Sequence, residues 1–235
     1  MAVVDHAHAS TARQVRDRIL RSHDRLWRVE EFDANPSAVN SELRRLVARG
    51  ELQRVRRGVY WRGRKSRFGT IGAPAGQALR ELVGGQQAIG ATGWYATNLL
   101  GLSTQVAPIE TIAITARPPQ GIVGVRVVSR AGRSARRDAH LNETEVTMLE
   151  ALDGWDRYIE ADGNTALRRF GELLERDDIR VEHLVKASRT EPPAVRERLR
   201  AVLDSAGLQA EAQQVRGARD PRTRARALSV LGPTV

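Results

Sequence analysis

The chain has 235 residues, 38 basic against 28 acidic side chains, a formal net charge of +10 and no cysteine. That length suits one large domain or two small ones, and the missing cysteines exclude disulfides, thiolate-bound zinc and thiol catalysis. No apolar run approaches the roughly 20 residues that cross a bilayer, and "MAVVDHAHASTARQ" lacks the basic segment and apolar run of a secretory signal, so a cytoplasmic location is expected. A balance this basic favours a polyanionic partner, nucleic acid first and an anionic membrane surface second. Lys65 and Lys186 are the only lysines. Arginine suits bidentate contacts to phosphate and guanine, although a GC-rich genome would give the same bias. Residues 1–70 carry a net charge of +8, 71–140 of +4, 141–208 of −5 and 209–235 of +3, an asymmetry that suggests two partners.

In chain order, "TARQVRDRILRSHDRLW" (11–27) has helical spacing, with Val15, Ile19 and either Leu20 or His23 facing inward. "RVEEF" (28–32) reads as a short second helix with Val29 and Phe32 on its buried side. In "DANPSAVNSELRRLVARG" (33–50), Asn35 is an N-cap, Pro36 takes the first helical position and Gly50 the C′ position. Val39, Leu43, Leu46 and Val47 form the apolar stripe. Ser37, Ser41, Arg44, Arg45 and Ala48 lie opposite, with Asn40 at the edge. Small polar residues followed by cations are what a recognition helix needs in a major groove.

"ELQRVRRGVYWR" (51–62) then reads as a β-hairpin: strand, a turn at Gly58, return strand. Leu52, Val55, Val59 and one of Tyr60 and Trp61 are expected to pack on the helices, leaving Arg54, Arg56, Arg57 and Arg62 outside. Arg64, Lys65 and Arg67 follow. A basic hairpin directly after such a helix is a wing, set to lie along phosphates or enter the minor groove. Residues 1–67 are therefore predicted to form a winged helix-turn-helix DNA-binding domain.

The expected architecture is α+β, the winged helix being followed by a mixed α/β lobe (68–140) and a helical lobe (141–208). A helix is expected from Pro74 to the glycines at 84–85, then a short strand and a helix capped near Thr92 and ended by Gly101. Residues 109–116 and 124–130 are strands by β-branched content, joined by a turn at "RPPQGIVG". Asn142 and Glu145 have capping-box spacing. Further helices are expected near 164–176, 181–189 and 193–206. The tail, 209–235, is biased and polar and reads as disordered or loosely docked.

Enzymatic constellations are weak. The five histidines form neither HExxH nor a ligand cluster, and His6 and His8 lie in a terminus expected to fray. Asp177, Asp178, Glu182 and His183 in "RDDIRVEH" read as a loop and the start of a solvated helix. "GWYATNLLGL" lacks the spacing of a phosphate-binding glycine loop, and Trp94 and Tyr95 read as core rather than base-stacking residues. "GRSARRDAH" (132–140) is a second basic cluster: a solvated loop, an accessory phosphate contact, or a contact to an acidic patch on a partner.

With these segments placed, "SELRRLVARGELQRVRRGVYWR" and, after it, "ATGWYATNLLGLSTQVAPIETIAITA" resemble the AbiEi family of bacterial antitoxins from type IV toxin–antitoxin systems, over roughly residues 10–207. The resemblance implies a repressor that binds inverted repeats in its own operator DNA through its N-terminal domain. It also implies neutralisation of a nucleotidyltransferase-like toxin by residues 68–208, with no catalysis, cofactor, metal or membrane partner. DNA contacts would fall to Ser37, Asn40, Ser41, Arg44 and Arg45 on the helix and to Arg54, Arg56 and Arg57 on the wing. The tail has no counterpart in that family. The rival expectations are a stand-alone winged-helix regulator with a ligand-sensing or dimerising C-terminal domain, and a nuclease using the acidic 141–208 region.

Overall fold

A computed structural model of the chain describes residues 2–67, 69–72, 79, 82–83, 87–119 and 124–232. The described residues form two compact units that divide after Leu82, and both mix helix and sheet. The helix expected from Pro74 lies, apart from residues 79, 82 and 83, outside the described residues.

The first unit opens with helix α1 (Ala2–Leu20). The expected continuation to Trp27 does not occur. Asp24 takes a positive φ of 50°, and Arg25–Arg28 form strand β1. "RVEEF" supplies only a 3-10 turn, Val29–Glu31. Helix α2 (Pro36–Ala48) follows, then strands β2 (Gln53–Arg56) and β3 (Val59–Arg62). The sheet order is β1-β3-β2, antiparallel throughout. A short hairpin, β4 (Lys65–Ser66) and β5 (Gly69–Thr70), succeeds it.

Strand alternation sends β3 to two different cores. Tyr60 joins Val15, Ile19, Trp27, Val39, Leu43, Leu46 and Leu52 between sheet and helices. Val55, Val59 and Trp61 turn to the other face with Leu26, so they do not pack on the helices as expected. The Trp61 indole donates to Ile71 O at 2.9 Å. A Cβ on Gly63 would sit 1.9 Å from that carbonyl oxygen, so only glycine lets the chain close there.

In the second unit, β6 (Ile89–Ala91) pairs antiparallel with β7 (Glu110–Ile114), and β7 pairs parallel with β8 (Val125–Ser129). Parallel neighbours cannot be joined by a tight turn, so the stretch "RPPQGIVG", read as a turn, does not close a hairpin between β7 and β8. Residues 120–123 of that link lie outside the described residues. Helix α3 (Gly93–Leu99) follows β6, and the one-turn α4 (Ala135–Asp138) follows β8.

The helical part comprises α5 (Glu143–Asp153), α6 (Trp155–Tyr158), α7 (Gly163–Leu174), α8 (Val181–Ala187) and α9 (Pro193–Ser205). Asn142 and Glu145 form the expected capping box on α5. Val146, Leu149, Leu152, Phe170, Leu199 and Val202 are fully buried in one core. Residues read as a polar tail form α10 (Gln209–Gln214) and α11 (Pro221–Leu228). Ala212, Val215 and Ala227 are buried. Arg198, itself buried, donates to Ala227 O at 3.2 Å and Leu152 O at 2.8 Å. Gly163 lies against the backbone of Leu231, where any side chain would clash.

Burial also claims charge. Glu150 of α5 accepts from Thr92 at 2.6 Å, Arg130 at 2.8 Å, Arg133 at 3.1 Å and Arg136 at 2.7 Å. Arg136, wholly buried, also donates to both carboxylate oxygens of Glu191, at 2.6 and 2.9 Å. The cluster "GRSARRDAH" is thus partly internal: Arg133 and Arg136 face inward, while Arg137 stays exposed beside Asp138. Burial is the strongest single influence on Glu150 and opposes its ionisation. The hydrogen bond from Arg130 and the charges of Arg136, Arg130 and Arg133 together outweigh it, and the carboxyl is lowered from the ordinary 4.5 to about 2.

Two outcomes follow for stability. Because the folded pKa is depressed, the contribution of Glu150 is complete above about pH 4.5 and is lost as pH falls toward 2, which chemical denaturation across that window will read. Glu150→Ala removes the acceptor shared by Arg130, Arg133 and the wholly buried Arg136, leaving them only Asp153 and Glu191, and we expect a loss of about 3–5 kcal/mol. A urea midpoint unchanged from the parent chain would refute this role.

Candidate nucleic-acid interface

Both ends of α2 are set by local chemistry. The Asn35 side chain accepts from Ser37 N–H at 2.9 Å, and Pro36 occupies the first turn, where no N–H is required. At the far end Gly50 has φ +68°. Its N–H reaches Val47 O at 2.9 Å and the next N–H, of Glu51, reaches Leu46 O at 2.9 Å, which is a complete Schellman termination. With its ends and apolar stripe fixed, α2 has one possible outer face. Ser37, Ser41, Arg44, Arg45 and Ala48 are exposed there, and Asn40 is half-buried.

The β2–β3 hairpin stands against that face. Its turn is Arg57–Gly58, with Gly58 at φ +79°. A register shift between Arg54 and Arg56 bulges β2. Ser37, Asn40, Ser41, Arg44 and Val47 on the helix, with Arg54, Arg57, Gly58 and Tyr60 on the hairpin, enclose a groove of about 400 Å³. No carboxylate lines it among the described residues. Arg44, Arg54 and Arg57 are exposed and form no ion pair among the described residues. Asn40 turns its amide back to Pro36 O at 2.8 Å.

Six of the eight candidate residues thus meet in one groove, and two do not. Arg45 lies outside, 3.5 Å from Glu42. Arg56 is half-buried and lies outside too, its Nε shielded from solvent and without a hydrogen-bond partner. Arg62, expected outside, is instead buried. It donates to Glu51 O at 3.0 Å and pairs with the Glu51 carboxylate at 3.1 Å. Arg64 is drawn to Asp24 at 2.7 Å.

A residue that sequence reasoning passed over holds this arrangement. Glu42 is buried on α2 and accepts from Arg16 Nε of α1 at 2.7 Å. Its position three residues after Val39 and one before Leu43 places a carboxylate on the apolar stripe, and that is the signal that could have marked it. Three unpaired guanidinium groups beside short hydroxyl side chains make a surface that can neutralise several phosphates of a polyanion and offer hydrogen bonds between them.

Asp178 is bonded to Arg176 at 2.8 Å and to Thr144 at 2.9 Å. No cluster of three potential metal ligands occurs among the described residues, and no described helix is long and apolar enough to cross a membrane.

Glu42→Ala removes a charge-assisted hydrogen bond between α1 and α2. We expect it to cost about 1.5–3 kcal/mol in chemical denaturation. Circular dichroism should show an unchanged helix content in buffer, and a wild-type midpoint would mean that apolar packing alone holds the two helices.

Comparison with known proteins adds the following. No curated protein matches the chain at a significant level. Among solved structures, the RV2827C protein from Mycobacterium tuberculosis is similar with a TM-score of 0.46 and 16% identity, over 92% of this chain and 80% of that one, a remote likeness. Residues 14–152 match a family of unknown function, DUF6088. That span takes in α2, the hairpin, the second unit's sheet and nearly all of α5, and the chain belongs to this family.

Proposed function

We propose that residues 1–67 act as a winged helix-turn-helix that binds operator DNA, with α2 as recognition helix and the β2–β3 hairpin as wing. We further propose that the protein represses its own operon and, through its second unit, neutralises a nucleotidyltransferase-like toxin without catalysis of its own. The observation that carries the DNA reading is the carboxylate-free groove in which Arg44, Arg54 and Arg57 converge on the short polar start of α2. A duplex presents two lines of phosphate with base edges between them. Ser37, Asn40 and Ser41 are short enough to let the helix approach those edges, and the hairpin arginines reach the flanking backbone. The antitoxin half is supported by the resemblance of the segments through "NLLGLSTQ" and by the separate second unit.

The test is a gel shift of the full-length protein on its own upstream DNA and on a scrambled duplex, at two salt concentrations. Specific binding should weaken steeply with salt. Arg44→Ala should cost about 1–3 kcal/mol on the specific duplex and relax base preference. Arg57→Ala should weaken both duplexes alike and reduce the salt slope by about one. If Arg44→Ala leaves affinity and preference intact, α2 does not read DNA. For the second half, co-expression with an adjacent nucleotidyltransferase gene should restore growth. Continued toxicity would leave a stand-alone regulator.

A further inference from the structure

The second unit holds a cavity of about 450 Å³ that the DNA reading does not use. One wall is aromatic: Trp94 and Tyr95 from α3, and Tyr158 from α6, with Trp94 and Tyr158 edge to face at 5.3 Å. The other wall is cationic. Arg126 of β8 and Arg130, the residue just past its end, are four apart and hence on one face of the extended chain, and Arg157 of α6 joins them. Glu150 and Asp153 also line the cavity, but both are already engaged by Arg130 and Arg133. Arg126 and Arg157 have no carboxylate partner among the described residues, and Arg157 lies over the Tyr158 ring at 5.3 Å.

Aromatic faces opposite unneutralised guanidinium groups, in a volume within the range that small ligands occupy, select a flat ring joined to a multiply charged anion. A lone carboxylate would satisfy one arginine. A phosphate chain offers several oxygens for bidentate guanidinium contacts, and the rings offer a stacking surface for a base. We propose that this cavity binds a free nucleoside phosphate, its base against Trp94 and Tyr158 and its phosphates on Arg126 and Arg157. No glycine loop is needed, because the charge comes from side chains of β8 and α6. The site lies wholly within the second unit, so it stands or falls independently of DNA binding.

Tryptophan fluorescence of the full-length protein reads it directly. Trp27, Trp61 and Trp155 are buried, whereas Trp94 is half-exposed on the cavity wall. The protein is titrated with ATP, GTP, CTP and UTP, and with tripolyphosphate and adenosine as controls. The expected result is saturable quenching by at least one nucleotide, tighter than by either control. Arg126→Ala and Arg157→Ala, both at exposed positions, should each weaken it about tenfold or more, and Arg57→Ala in the first unit should leave it unchanged. Three results would overturn the proposal: no saturable quenching by any nucleotide at millimolar concentration, equal affinity for tripolyphosphate, or unchanged affinity in both cavity variants.

Discussion

The buried guanidinium of Arg136 is the constraint around which the second unit is arranged. Stripping water from an ion costs several kcal/mol unless each of its donors is matched, and here all three nitrogens are bonded to Glu150 or Glu191. Satisfying them joins three separate stretches of chain: α4, α5, and the residue just before the Pro192–Pro193 start of α9. Glu150 in turn fixes Arg130, Arg133 and the Thr92 hydroxyl. Thr92 therefore gives up capping α3, which begins without a side-chain cap. Its hydroxyl ties the start of that helix to α5 instead, and so sets where Trp94 and Tyr95 stand relative to β8.

The first unit uses the same chemistry to the opposite end. Four of its carboxylates are occupied away from the groove: Glu42 by Arg16, Glu31 by Arg25, Glu51 by Arg62 and Asp24 by Arg64. None of these pairings takes up Arg44, Arg54 or Arg57, so these acids leave the three groove arginines unneutralised. The cationic groove thus results as much from where the acids are held as from where the bases are placed. An isolated exposed pair contributes little stability, so the effect of these pairings is chiefly on the field at the groove.

Charge counted along the chain is consequently a poor map of the surface. The acidic balance of residues 141–208 includes Glu145, Glu150, Glu191 and Glu197, all buried. Glu145 is held by Arg180 at 2.7 Å. Burial opposes its ionisation most strongly, but the Arg180 side chain and the N–H groups of Asn142 and Arg180 outweigh that and lower its pKa. The basic cluster at 132–140 is partly consumed in the same interior. What remains on the outside has to be read residue by residue.

Elements whose signals are local could be read from the chain alone. Asn35, Pro36 and Gly50 delimit α2, Gly58 turns the hairpin, and Asn142 with Glu145 starts α5, because each depends on backbone groups within a few residues. The spacing of Val39, Leu43 and Leu46 likewise settled which face of α2 is outside. Tertiary structure decided the rest. Arg25–Arg28 become a strand because β3 offers an edge to pair with, which no four-residue pattern can announce. Arg62 turns inward because Glu51 awaits it, and β8 lies parallel to β7 through a connection whose route is not local. Trp94 and Tyr95, apolar enough to read as core, stand on a cavity wall because arginines distant in the chain form the wall opposite. Partners brought together from far apart leave no fixed spacing to find, and that is why the groove was half legible and the cavity was not.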